Sequence, residues 1–396
     1  MSVPNRIYAD HAATTQPDPE VVAAMLPWLS ERFGNASSVH SRGEAAHDAI
    51  EAARLEVARL VGAQSEEIVF TATGSESNNL ALRGALRAVE GRNRLVTTAI
   101  EHASVLAPAR ALGAEGFELT LVPVRANGTV DAEELAAALG PDVALVSVMA
   151  VNNETGVIQP LEELGPLVKE CGALLHVDAM QAPGKIAIAV DAWQADLLSI
   201  AAHKFHGAPG AAALFVRRRT RLEPQVLGGQ HERGRRAGTE NLPAIVGLGV
   251  AARRAREAVA GGVPQRVAAL GERLLAELLA GVPDTRLNGD LNRRVGSIVN
   301  VCFTGVDGEA VLHELDRAGI QVSTGSACSS AETGPSHVLL AMGLDAEDAH
   351  ASVRFSLGGE NTEDDVVRIG EATPPVVERL RALAGPGVGK PAQKSA

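Results

Sequence analysis

Short apolar runs alternate with longer segments of helical period along the first two-thirds of the chain. The runs Ile68–Thr71, Leu95–Ala99, Leu119–Val124, Leu145–Ala150, Leu174–Val177, Leu197–Ile200 and Ala212–Val216 have the length and composition of strands. Between them, Ser75–Val89, Asp131–Leu139 and Pro160–Cys171 carry helical periodicity. Strands alternating with helices imply βαβ units and a mostly parallel sheet. The pattern changes after about Ala260. Gln265–Leu279 places Val267, Leu270, Leu274, Leu275 and Leu278 at helical spacing, and a strand-like Ser297–Phe303 and a helix over Gly308–Ala318 follow. A second, smaller α/β domain is expected there, with Gly261-Gly262 and Pro264 at the junction.

Composition narrows the class. With 396 residues, of which 46% are hydrophobic, the chain has enough apolar material for two domains. The formal net charge of −12 argues against a nucleic-acid or anionic-membrane binder. The basic loop Arg233–Arg236 could pair RNA phosphates, but the acidic whole argues against that use and no nucleic-acid partner is expected. No secretory h-region and no apolar span of membrane length is present, so a cytoplasmic protein is expected. Cys171, Cys302 and Cys328 form an odd set without C-x-x-C spacing, which argues against a disulfide framework or a structural zinc site, and no metal is expected.

Polar motifs stand where strands end, the place at which open α/β sheets collect ligands. Thr73-Gly74-Ser75 opens a helix after Ile68–Thr71 and reads either as a phosphate cup or as a plain N-cap. His102 follows the next strand, where a histidine can stack on a ring, shuttle protons or simply face solvent. Asn152-Asn153 begins a polar turn from which Asn153 can reach a ligand oxygen. Asp178 closes an apolar strand, either pairing with a pyridinium nitrogen or capping a helix. Lys204, in Ala202-His203-Lys204, suits a Schiff-base amine or a lysine reaching solvent. Cys171 and Cys302 sit among apolar neighbours as small core side chains. Cys328 lies among small polar residues, a setting that suits a reactive thiolate. Arg354 alternates with apolar residues and either grips a carboxylate or forms a strand salt bridge.

Taken together the segments YADHAATT (8–15), FGNASSVHSRG (33–43), GSESNN (74–79), EHASV (101–105), NNETGVIQP (152–160), HVDAMQAPGK (176–185), AAHKFHG (201–207), RRAGTEN (235–241), GSACSSAETGPSHVLLAMGL (325–344) and SVRFSLG (352–358) resemble the NifS/IscS-type cysteine desulfurases of the class V aminotransferase superfamily. The resemblance spans about residues 7–370. It implies a pyridoxal-phosphate (PLP) enzyme of fold type I, with a mixed, mostly parallel seven-stranded sheet in the large domain and a small α/β domain formed by both chain ends. The expected division is 16–262 for the large domain, 1–15 with 263–384 for the small one, and 385–396 as a mobile tail.

The resemblance also implies roles. Lys204 would hold the cofactor aldehyde and move protons, His102 would stack on the ring, and Asp178 would pair with the ring nitrogen. Gln181 and Asn153 would lie near the ring's phenolic oxygen. Gly74, Ser75 and His203 would hold the phosphate, with Thr239 reaching the phosphate of a neighbouring subunit in a homodimer. Arg354 and Asn35 would bind the carboxylate of L-cysteine. Cys328 would receive its sulfur as a persulfide, for transfer to an acceptor such as an iron–sulfur cluster scaffold. Two departures are visible: Ala201 stands where the family usually has a serine, so a phosphate hydroxyl is missing, and Ala72-Thr73-Gly74-Ser75 stands where the family usually has S-G-A-T, which alters the phosphate cup without emptying it and leaves Thr73 available to compensate. A class V aminotransferase, a selenocysteine lyase and a binding protein that has lost catalysis are the rival readings. Cys328 argues against the first, the shared chemistry of sulfur and selenium leaves the second open, and the joint presence of Lys204, Asp178, His102 and Cys328 argues against the third.

Overall fold

The computed structural model describes residues 6–325 and 334–384. The expected tail, 385–396, lies outside them, as does Cys328. Among the described residues twelve strands run in chain order: β1 (Ile7–Tyr8), β2 (Ile68–Thr71), β3 (Arg94–Thr98), β4 (Glu118–Val122), β5 (Val143–Met149), β6 (Leu174–Asp178), β7 (Leu197–Ala201), β8 (Ala212–Val216), β9 (Thr285–Leu287), β10 (Ile298–Phe303), β11 (Ile320–Gln321) and β12 (Ser352–Ser356). Seven of them form one sheet in the order β2-β8-β7-β6-β5-β3-β4. Strand β8 is antiparallel to both its neighbours, and the remaining pairs are parallel. Strands β2, β3, β5, β6 and β7 therefore point their carboxyl ends the same way. This is the mixed, mostly parallel fold type I sheet that the resemblance implies.

Helices cover both faces, as a sheet of buried parallel strands requires. Along β5, Val146 and Val148 join a cluster with Ile50, Val57, Ile200 and Leu248, while Leu145 joins Leu82, Leu95 and Leu112 on the other face. Aromatic side chains are few, so aliphatic packing supplies most of the core.

A separate apolar cluster holds the second body together. It joins Leu274 and Leu278, from the helix Val263–Gly281, to Val301 and Phe303 of β10, Val353 and Phe355 of β12, and Ile369. There β10 lies between β9 and β12, antiparallel to each. The N-terminal strand β1 pairs in parallel with β11, so the start of the chain is stitched to this later body. The helix Leu242–Ala260 ends at Gly261, and Gly262 adopts the left-handed conformation (φ 77°) that favours glycine before Pro264 enters the next helix.

Candidate active site

The carboxyl ends of β2, β3, β5, β6 and β7 bring the motif residues to one side of the sheet. Asp178 is the last residue of β6 and is buried. Its two oxygens are held separately: Asn78 Nδ2 donates to Oδ2 at 2.8 Å, and the Met180 amide donates to Oδ1 at 3.1 Å. The same Asn78 amide donates to Ser104 Oγ at 2.9 Å. Ser104 also lies 2.8 Å from Nδ1 of His102, and its own amide donates to that nitrogen at 3.1 Å, so the His102 ring caps the helix Ala103–Ala114. Asp178 and His102 are thus fixed by one hydrogen-bonded chain.

Lys204 sits in the short turn Ala202–Lys204 that follows β7. Its Nζ donates to the carbonyl oxygens of Ala12 (2.9 Å) and Ala13 (2.8 Å). Gln181 Nε2 donates to the same Ala12 oxygen at 2.8 Å, and Gln181 Oε1 accepts from Lys185 Nζ at 3.1 Å. Two amines are therefore joined through one amide and one carbonyl. Burial, and then the neighbouring charge of Lys204, push Lys185 down to about 7. The N-terminal segment wraps this turn further: the Thr15 amide donates to the His203 carbonyl, and His203 Nδ1 lies 3.2 Å from Thr14 Oγ1. Burial and Lys204 push His203 down to about 4.

Gly74 begins the helix Gly74–Ala88, with Thr73 as N-cap accepting from the Glu76 amide. A Cβ at Gly74 would lie 2.6 Å from Met180 Cε, 2.8 Å from Met180 Sδ and 3.4 Å from Ala201 Cβ. The helix start thus approaches the ends of β6 and β7 closely, and a side chain at Gly74 would have to displace the flexible tip of Met180. Ser75, beside it, is exposed. Thr73 serves as a cap, which is the plainer of the two uses considered for this turn, and the helix start with its unpaired amides is present as well.

The remaining residues lie further out. Arg354, on β12 and 2% exposed, donates from Nη2 to Asp10 Oδ1 (2.7 Å) and from Nη1 to the Asn153 carbonyl (2.9 Å). Its Nε is buried without a partner. Asn153 thus contributes its backbone oxygen here. Asn35 and Thr239 are exposed on neighbouring segments, which are linked by Ser37 Oγ at 3.4 Å from His231 Nε2. Among the other cysteines, Cys302 is buried and its thiol is pushed up to about 11 by burial, an inert core residue, while Cys171 is partly buried and donates to the Gly140 carbonyl.

Three residues beneath the site were not singled out from sequence. Asn78 lies within GSESNN and reaches Asp178 across 100 positions. Glu101, in EHASV, accepts from Thr98 Oγ1 (2.7 Å) and the Met149 amide (2.9 Å), yet burial raises it to about 8. His176 lies between Ser147 Oγ (2.8 Å) and Ser199 Oγ (3.0 Å), and burial alone pushes it down to about 3. The motifs containing them were visible, but no spacing rule tells such inward polar residues from the turn residues beside them.

A cavity of about 490 Å³ opens between the two bodies and has Lys204, Lys185, His11 and His206 on its wall. His102, Asp178 and Gly74 do not line it. His11, His206 and Glu360 place ligand atoms within 4.8 Å of one another there, the one such grouping among the described residues.

The residues fit PLP. A lysine amine, a buried carboxylate fixed by two donors and a glycine-floored helix start are the groups that an aldehyde, a pyridinium and a phosphate require. The class-V aminotransferase family model matches residues 7–369. A cysteine desulfurase of Trichormus azollae is 46% identical over 378 residues, covering 96% of this chain and 94% of the relative. The cysteine desulfurase IscS of Dictyoglomus turgidum is 41% identical over 379 residues, covering 96% of each. A solved structure described as a NifS-like protein superposes with a TM-score of 0.89 at 34% identity, over 95% of this chain and 100% of that one. The chain belongs to the class-V aminotransferase family. Within that family it falls among the cysteine desulfurases of the NifS/IscS type, and it is an enzyme of that class.

Proposed function

We propose that the chain removes sulfur from L-cysteine, with Lys204 holding PLP, Cys328 receiving the sulfur and L-alanine leaving. The observation that carries this reading is the placement at neighbouring strand ends of two hydrogen-bonded sets, Lys204 with Gln181 through the Ala12 carbonyl and Asp178 with His102 through Asn78 and Ser104. PLP, when bound, supplies an electron sink for the Cα–H bond of the substrate.

The chain's own groups do the rest. Asp178 holds a proton at the ring nitrogen, and Asn78 holds Asp178. Lys204 would hold the cofactor aldehyde and, as the amine nearest the reacting carbon, would take the Cα proton at Nζ. Arg354 turns from Asp10 to the substrate carboxylate, with Asn35 beside it. The Cys328 thiolate then attacks the substrate sulfur: its S–S bond forms, the C–S bond breaks, and the carbon skeleton keeps the electron pair and is protonated to alanine. His102 is the group placed to move protons over the ring face.

A homodimer fits the outer part of the site. Leu26, Leu29, Phe33 and Val39 on one segment and Val226 and Leu227 on the other are exposed, and they flank the segments carrying Asn35 and Thr239. Apolar side chains gathered beside an incomplete site mark a subunit interface. Thr239 would reach the partner's phosphate. An iron–sulfur scaffold in the cytoplasm is the acceptor that the family resemblance suggests. Among the described residues, no helix is long and apolar enough to cross a membrane.

The test uses two variants. Lys204→Ala loses the visible absorption of the bound cofactor and at least about a hundredfold in alanine production. Cys328→Ser keeps the absorption band but forms no persulfide. Undiminished alanine production by Cys328→Ser with excess acceptor would refute the nucleophile, and an unchanged spectrum in Lys204→Ala would refute the amine.

A further inference from the structure

The loop that carries Thr239 is fastened at two points to the strand and helix that form the phosphate cup. At the first, Glu232 Oε2 accepts from the Phe70 amide of β2 (2.8 Å) and from Arg54 Nη1 (2.7 Å), while Oε1 accepts from Arg54 Nη2 (2.9 Å). Arg54 Nη1 also donates to the Ile68 carbonyl of β2. The pair is 5% and 2% exposed. Burial works against the Arg54 charge, but the hydrogen-bonded Glu232 carboxylate overrides it and holds the guanidinium above its ordinary value. At the second point, Arg236 Nε donates to Glu76 Oε1 (2.8 Å). Glu76 Oε2 in turn accepts from the Ala72 amide, two residues before Gly74 (2.9 Å).

The backbone between these points shows how firmly they hold. Glu232 (φ 47°, ψ 39°) and Arg233 (φ 57°, ψ 35°) both occupy the left-handed region. Two consecutive side-chain-bearing residues persist there only where the surroundings fix them. A buried two-pronged carboxylate–guanidinium pair is such a constraint.

We infer that Glu76 and Arg236 are positioning residues for the cofactor phosphate, joining the cup of one subunit and the Thr239 loop that it lends to the next into a single unit. The inference rests on the proposed reading of the cup and of Thr239. Glu76 fixes the amide ladder that opens the cup. Arg236 fixes the loop three residues before Thr239. In a homodimer each phosphate would meet one cup and one borrowed loop, so loss of Arg236 loosens only the borrowed donor, whereas loss of the Glu76 charge loosens both.

The test compares two probes on the full-length protein freed of cofactor: PLP, and pyridoxal, which lacks the phosphate. Equilibrium affinity is read from the absorbance of the bound ring, with matched far-UV circular dichroism as the folding check. Arg236→Met is expected to weaken PLP about tenfold, the scale of one charge-assisted hydrogen bond, and to leave pyridoxal within about twofold. Glu76→Gln removes the charge but keeps an acceptor for Ala72, and its loss is expected to be at least as large as that of Arg236→Met and to show the same phosphate selectivity. Arg236→Lys is expected to recover part of the affinity. In a Thr239→Ala background Arg236→Met is expected to add little, because the two act through one donor. Equal weakening of both probes, or full additivity with Thr239→Ala, would overturn the positioning role. If the unaltered chain binds both probes equally, the phosphate cup itself fails, and the clamp with it.

Discussion

Asp178, Gln181 and His176 are shielded from water, and each finds hydrogen-bond partners inside one chain, whereas Asn35, Ser75 and Thr239 stand exposed, Asn35 and Thr239 on segments flanked by uncovered apolar side chains. The first group occupies β6 or the turn directly after it. The second group lies on helix starts and loops. The difference follows from what each part has to do. Charge that develops on a ring or a substrate carbon is stabilised by dipoles set beforehand in a site that excludes water. A phosphate is an anchor, and it can be completed late by donors from another subunit. On the proposed reading, one chain builds the wall where bonds are made and leaves the anchoring end to assembly.

The sharpest test of this contrast sets Asp178→Asn against Thr239→Ala. The asparagine keeps the size of the side chain and the acceptor for the Met180 amide, but it removes the charge that holds a proton on the ring. Turnover is expected to fall roughly a hundredfold or more, the range for a lost proton-transfer partner, with little change in cofactor affinity. Thr239→Ala is expected to do the reverse: about a tenfold loss of PLP affinity and near-normal turnover once the cofactor is saturating. Steady-state rates over a range of PLP concentrations separate the two. Equal effects on turnover at saturation would break the contrast.

Glu101 sharpens the contrast from the stability side. Burial raises its carboxyl to about 8, against the hydrogen bonds from Thr98 and Met149 that favour the anion, and Asp178 raises it further. The folded chain therefore holds a proton that the unfolded chain has released from about pH 4.5 upward. This contribution to stability is present in full below that pH and is lost progressively as pH rises toward 8. Glu101→Gln removes the titration and keeps the shape. The variant and the parent are expected to be close in stability near pH 4.5. The variant gains on the parent by a margin on the order of a few kcal/mol by about pH 8.5. Urea midpoints at the two pH values measure it, and a pH-independent difference would place the Glu101 titration elsewhere.

Much of this was legible because strand ends announce themselves. The strands β2 and β8 match their apolar runs residue for residue, Asp178 directly follows the apolar run Leu174–Val177, and Lys204 lies in the short turn after the run Leu197–Ile200. Boundaries moved where pairing, not hydrophobicity, sets the end: β3 begins at the charged Arg94, which pairs with Glu118 of β4 and whose guanidinium is held by Asp142. The two-residue β1 is too short for any periodicity and exists because β11 offers it an edge. Asn78 and Glu101 were missed for a related reason. Their partners lie across the sheet, and nothing local distinguishes a polar residue that turns inward from one that meets water. The sequence leaves Arg354 either gripping a carboxylate or in a strand salt bridge, and its pairing with Asp10, 344 positions away, depends on how the chain ends come together.

The smallest expected effect concerns Ala201, where the family pattern has a serine. Ala201 closes β7, is buried, and packs against the position that a Cβ on Gly74 would need. Ala201→Ser adds a hydroxyl to a place with little water. Without cofactor that hydroxyl lacks an assured partner, and stability is expected to drop by about 1 kcal/mol. With PLP bound, a phosphate oxygen can accept it, and affinity is expected to rise by up to about tenfold. The two signs oppose each other, so thermal melts with and without PLP should bracket the parent. If both melts fall, the end of β7 does not face the phosphate. The anchoring end would then rest on the helix start at Gly74 and on donors from the second subunit.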